Sequence, residues 1–179
     1  MRRNQGFTLI ELMIALVIGL IIILGASQLF VVSHASYQRV EMLAARQEAL
    51  RFLVDSLSLD IRSADTFFVT GDVLSLSYGS GRENDPYCSS AGLSAVEYAR
   101  DSGAINLKVT CDNGIVSTEP LVGSSNADAL LSVEELVFRE LGGRSVRNEV
   151  TFNALEGEDD TSRHFEFVVT NRHAALSRN

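Results

Sequence analysis

From Leu12 to Gln38 the chain carries no charged side chain, taking His34 as neutral, and Leu12 to Ala26 is apolar without a break. The wider stretch Phe7 to Val32 departs from that only at Thr8, Glu11, Ser27 and Gln28. About 20 apolar residues in a helix cross the ~30 Å hydrocarbon core of a bilayer. The segment is therefore a membrane span or a removable signal. A secretory signal has a basic start, about 7–15 apolar residues and a small-residue cleavage site beyond them. Here the start is basic (Arg2, Arg3), but the apolar run is too long and a carboxylate, Glu11, stands near its front. An ionisable group within a membrane segment costs roughly 2.5–3.5 kcal/mol, which marks it as a functional candidate. The plain alternative is that Glu11 lies at headgroup level, where this cost shrinks.

The rest of the composition narrows the chemistry. With 179 residues there is room for one domain with a proper core. The net charge of −8 supplies no general footprint for nucleic acid. Two cysteines without a CxxC pair and three scattered histidines offer no zinc or iron–sulfur ligand set. Neither a metal nor another cofactor is expected. Ser, His and Asp occur, but in no nucleophile-elbow context, so the chain does not read as an enzyme.

Gly6-Phe7-Thr8-Leu9-Ile10-Glu11, followed by the apolar run, resembles the class III signal of type IV pilins and pseudopilins. The resemblance implies a leader of residues 1–6 that stays in the cytoplasm, held there by Arg2 and Arg3 under the positive-inside rule. It implies that a prepilin peptidase cuts between Gly6 and Phe7 and methylates the new amine of Phe7. Glu11 then becomes the fifth mature residue, one helical turn from a positive amine. An unpaired carboxylate among apolar side chains is costly, so it favours an amine partner. The amine of a neighbouring subunit is the natural one, which makes Glu11 a register-setter for assembly.

The helical pattern continues beyond the apolar segment. Leu43, Leu50, Val54, Leu57, Ile61 and Ala64 recur at helical spacing, with Arg46, Glu48, Arg51, Asp55, Asp60 and Arg62 between them. The expectation is one helix from about Phe7 to about Ala64, roughly 85 Å long. Residues 7–32 form its membrane or filament-core half and residues 33–66 its amphipathic half. Residues 67–179 form a β-rich head facing the periplasm. Strands are expected at Val69 with Val73–Tyr78, Ala95–Ala99, Ile105–Thr110, Leu130–Arg139, Glu149–Asn153 and Phe165–Thr170. Ala95–Thr110 reads as a hairpin turning at Asp101-Ser102-Gly103, and Gly79–Pro86 reads as a loop. The fold class is α+β: a long helix whose apolar stripe covers an antiparallel sheet.

The helix end, Arg51-Phe52 with Asp60-Ile61-Arg62, the order of Cys88 and Cys111 among the strands, and Val137-Phe138-Arg139 resemble PilW-type minor pilins. That resemblance implies a minor pilin of a Gram-negative bacterium that helps prime type IV pilus assembly, in a minor-pilin complex at or near the tip. Its partners would be the prepilin peptidase, other minor pilins, the major pilin and the inner-membrane assembly platform. It would sit in the inner membrane with a single pass and then in the pilus. A minor pseudopilin of type II secretion and a DNA-binding pilin of a competence system are the alternatives. The last needs a basic patch, for which Arg139, Arg144 and Arg147 are the candidates. In an oxidising periplasm Cys88 and Cys111 pair by default. The acidic stretches Glu156–Asp160 and Glu83-Asn84-Asp85 lack the alternation of a calcium loop and read as solvated loops. His34, His164 and His173 read as solvent-facing or interfacial.

Overall fold

The computed structural model describes residues 8–82, 85–88, 91–123, 131–154 and 163–176. Helix α1 (Leu9–Ser63) is followed by strands β1 (Thr66–Thr70), β2 (Val73–Arg82), β3 (Leu93–Asp101), β4 (Ala104–Cys111), β5 (Val116–Gly123), β6 (Val133–Leu141), β7 (Ser145–Phe152) and β8 (His164–Thr170). A short helix α2 (Arg172–Leu176) comes last among them. The class is α+β: a long helix, apolar in its first part, followed by antiparallel sheet. The chain divides into two compact units, Met1–Ala44 and Ala45–Asn179.

In the first unit α1 is apolar on every side and exposed on every side. Leu9, Leu12, Leu16, Leu20, Ile23, Phe30 and Val32 are each more than half exposed. Helical hydrogen bonding runs through Gly19 and Gly25 unbroken. The polar interruptions are satisfied locally. Ser27 Oγ donates to the Ile23 carbonyl at 2.8 Å, and Gln38 meets His34 at 3.3 Å.

The second unit has two antiparallel sheets, ordered β1-β2-β3-β4-β5 and β6-β7-β8. One core serves both. Leu53, Leu57 and Ile61 of α1 join Leu74, Leu76, Val96 and Tyr98 of the first sheet and Leu136, Val146, Val150 and Phe152 of the second. Each such apolar side chain, fully buried, contributes about 1.5–3 kcal/mol. The β3–β4 hairpin turns at Ser102 (φ 51) and Gly103 (φ 83), the paired left-handed conformation of a two-residue type I′ turn.

Several elements differ from expectation. Residues 79–82, read as loop, continue β2, and an irregularity in register after Ser77 absorbs the glycines. β5 was not expected: its first five residues are exposed and lack apolar alternation, so pairing with β4 holds that part, while Val122 near its end enters the core. β7 begins at Ser145, because Gly142 (φ 61) and Gly143 (φ 70) close a tight hairpin from β6. The stripe on α1 also shifts. Arg46, Leu53, Leu57, Asp60 and Ile61 are buried, Val54 is only half-buried, and Leu43, in the first unit, is 45% exposed. Two charged residues assigned to the solvent face therefore lie in the core.

Candidate functional site

The described chain opens on Thr8, and its geometry is that of a helix N-cap. Its carbonyl accepts the first intrahelical bond, from Leu12 N–H at 3.3 Å. Its hydroxyl accepts from Glu11 N–H at 3.4 Å. Glu11 reaches back: its Oε2 accepts from Thr8 N–H at 3.0 Å and from Thr8 Oγ1 at 2.9 Å. Thr8-Leu9-Ile10-Glu11 is thus a capping box, which satisfies donors that no helical carbonyl serves. The signal for it is local, the pattern [ST]-x-x-E ahead of an apolar run. Every one of these bonds to the carboxylate ends on Oε2; Oε1 has no hydrogen bond among the described residues. Gly6 and Phe7, the expected cleavage and methylation positions, lie outside the described residues. Starting from this cap, α1 is long and apolar enough to cross a membrane once.

In the second unit, buried polar groups tie α1 to both sheets. Asp60 Oδ2 accepts from the Tyr98 hydroxyl at 2.7 Å, and the Asp60 carbonyl accepts from Tyr78 Oη at 3.3 Å. Burial first, then the negative charge of Asp60, pushes the Tyr98 phenol far above the ordinary tyrosine range. Arg46 Nη2 donates to the Asn153 carbonyl at 2.8 Å, and its guanidinium stands 5.3 Å from the centroid of the Phe152 ring. Asn171, fully buried at the end of β8, donates from Nδ2 to the carbonyls of Ile61 and Ala64, both at 2.7 Å. These are orphan carbonyls of a helix end, which must find donors when buried. Its Oδ1 accepts from Ala174 N–H, a local cap on α2, but no short-range pattern marks the tie to α1, whose carbonyls lie more than 100 positions away.

Cys88 and Cys111 form a disulfide with Cα atoms 5.9 Å apart, joining the segment before β3 to the end of β4. Asp85, expected in a solvated loop, is buried instead. Its Oδ1 accepts from Tyr87 N–H at 2.9 Å, and its carbonyl accepts from Cys88 N–H at 3.0 Å, so it shapes the turn that presents Cys88. Glu83, Asn84 and Glu156–Asp160 lie outside the described residues. His34 and His164 are exposed, and His173 pairs with Asp65 at 3.3 Å while 68% exposed.

The three arginines considered as a basic patch are not one. Arg139 pairs with Glu149 at 3.3 Å and Arg147 with Glu166 at 3.2 Å, neutralising each other across the β6-β7-β8 sheet. Arg163 pairs with Glu134 in the same way. Only Arg144 of the three stands without a carboxylate among the described residues.

Comparison with known proteins bears on the amino terminus. No curated protein and no solved structure matches the chain. The prokaryotic N-terminal methylation motif matches residues 1–27, a span that contains Gly6, Phe7, the capping box and most of the apolar run. Proteins bearing that motif are structural rather than enzymatic, and the motif implies processing by a prepilin peptidase and association with a membrane. The amino terminus is a prepilin-type methylation motif, which supports a place for this chain in the type IV pilin and pseudopilin superfamily.

Proposed function

We propose that the chain is a minor pilin of the PilW type, which helps initiate assembly of a type IV pilus as part of a complex at or near its tip. The observation that carries this reading is the match of residues 1–27 to the methylation motif at the head of an apolar, all-round exposed helix. In this reading the peptidase releases residues 1–6 and methylates Phe7. The chain is held by one pass in the inner membrane, with residues 67–179 in the periplasm, until it enters the pilus. Its partners are the peptidase, the other minor pilins, the major pilin and the assembly platform.

The capping box adds a detail to the role of Glu11. In the free chain Oε2 is committed to Thr8. Oε1 is left to accept from the methylated amine of a neighbouring subunit. Pairing between subunits then need not break the helix cap. The pairing of Arg139 with Glu149 and of Arg147 with Glu166 removes two of the three cations considered for the DNA-uptake alternative.

Glu11→Ala tests the reading. The variant should be cleaved between Gly6 and Phe7, be recovered from the inner membrane and be depleted from purified pili. Mass spectrometry of the wild-type chain from pili should find N-methylated Phe7. Unimpaired entry of Glu11→Ala into pili would end the pairing account. Recovery of the chain with secretion pseudopilins rather than pili would assign it to type II secretion.

A further inference from the structure

A groove of about 620 Å³ runs along the last turns of α1 where they meet the end of β8 and the start of α2, lined among others by Asp55, Ser58, Leu59, Arg62, Thr170 and Arg172. Its cations stand out against the charge of the chain. Acidic residues outnumber basic ones 23 to 15, and elsewhere in this unit the arginines whose side chains are described have partners. Arg51 meets Asp55, Arg139 meets Glu149, Arg147 meets Glu166, Arg163 meets Glu134, and Arg100 donates to the Val133 carbonyl. Arg62 and Arg172 are exposed and meet no carboxylate among the described residues. Arg144 adjoins them, since its carbonyl accepts from Asn171 N–H at 2.8 Å, and it too has no carboxylate partner. In a chain with surplus acid, two guanidinium groups without carboxylate partners line this groove, and the one carboxylate in its wall, Asp55, already faces Arg51, so the groove keeps a local positive field.

We propose that this groove docks an acidic peptide segment of an adjoining subunit, with Arg62 and Arg172 holding its carboxylates. The proposal rests on the reading of the chain as a subunit of an assembly and adds the chemistry of one contact. The wall chemistry favours a peptide over a lipid phosphate. The groove offers acceptors as well as donors: the Asp55 carboxylate and the Ser58 and Thr170 hydroxyls lie beside the guanidinium groups. Peptide backbone supplies N–H donors for those acceptors, whereas a phosphodiester brings acceptors only. Leu59, 60% exposed, supplies an apolar contact of the kind that excludes water around a charged pair. Arginine is suited to this task because its planar fork takes a carboxylate through two hydrogen bonds.

The test uses the full-length processed chain in detergent micelles and a labelled peptide of residues 155–162, which carries Glu156, Glu158, Asp159 and Asp160. The acidic peptide should bind, and binding should weaken as salt rises. Arg62→Ala/Arg172→Ala should weaken it about tenfold or more, as should replacing the four acids by their amides, while Arg139→Ala, at an arginine already paired, should leave it unchanged. Both substituted arginines are exposed, so an unchanged melting temperature checks that the double variant is folded. Absence of binding, or equal binding by the double variant or the neutral peptide, would overturn the proposal. So would binding of anionic phospholipid vesicles through the same arginines with no competition from the peptide, which would give the surface to lipid. These outcomes are separable from the Glu11→Ala result: the groove can fail while filament entry stands, and filament entry can fail while the peptide still binds.

Discussion

Helix α1 is one run of hydrogen-bonded backbone that serves two different environments. Up to Ala44 its large apolar side chains are exposed and its polar groups are satisfied by neighbours within one turn, as in the Thr8–Glu11 cap and the Ser27–Ile23 bond. From Ala45 onward the same helix buries Leu53, Leu57 and Ile61 completely and draws its polar contacts from residues far along the chain: Tyr98, Asn153 and Asn171. The first stretch is a surface that only lipid or other helices complete, because exposed apolar area on this scale is not stable in water. The second is part of a domain with its own core. Substitutions should therefore affect assembly in one stretch and folding in the other.

The sharpest way to break this comparison is a pair of truncations to alanine. In a fragment starting at Gln38, Leu57→Ala should lower the unfolding free energy by about 2–5 kcal/mol, read from denaturant titration. In the full chain, Ile22→Ala should leave the melting temperature of the head unchanged. A shift at Ile22 as large as that at Leu57 would mean that the two stretches are not energetically separate. The same fragment should be soluble and acidic, and should not bind DNA at physiological salt.

Removing the disulfide comes next in size. Closing a loop of this length is worth roughly 3 kcal/mol in the chain-entropy model. Cys88→Ser/Cys111→Ser should lose about that much in the head while membrane insertion persists, as fractionation would show. Two alkylatable thiols in the native protein would contradict the bridge.

Tyr98 gives the comparison a pH signature. The folded state keeps its phenol protonated well above the ordinary value of 10.0, whereas the unfolded chain loses that proton near it. Above pH 10 the folded state therefore binds more protons than the unfolded one, and stability falls as pH rises, by up to about 1.4 kcal/mol per unit. Below pH 10 the contribution is fully present. Tyr98→Phe should flatten that alkaline slope and cost about 1.5–3 kcal/mol at neutral pH, since it removes a bond to a buried carboxylate. An unchanged slope would show that Tyr98 is not the group whose proton is retained on folding.

The smallest effect belongs to the outer face of the helix. Arg51 and Asp55 approach only to 4.0 Å with side chains 86% and 74% exposed, so Arg51→Ala should change stability by no more than about 0.5 kcal/mol. A larger loss would mean that the face is covered by a partner in the sample measured.

Local signals carried much of this molecule. The apolar run has one physical use, so the membrane-length helix followed from composition alone, and the motif around Gly6, Phe7 and Glu11 followed from residue order. The Ser102–Gly103 turn and strands β3 and β4 were legible because apolar alternation and turn chemistry act over a few residues. The capping box is equally local, since Thr8 and Glu11 stand three positions apart. Strand β5 was not legible, because an exposed edge containing Pro120 shows no alternation and is a strand only through pairing with β4. Charge misled at Arg46 and Asp60. Helical spacing placed both among solvent-facing residues, yet each is buried with a partner from a distant strand or loop. What the chain determined by itself was therefore what periodicity and short motifs express: the long helix, its apolar half and the processing signal. Tertiary structure alone decided which charges go inside, that the head has two sheets around one core, and that Asn171 closes the end of α1. A buried charge or an orphan carbonyl is tolerable only when a specific distant group meets it, and that meeting is fixed by packing rather than by neighbouring sequence.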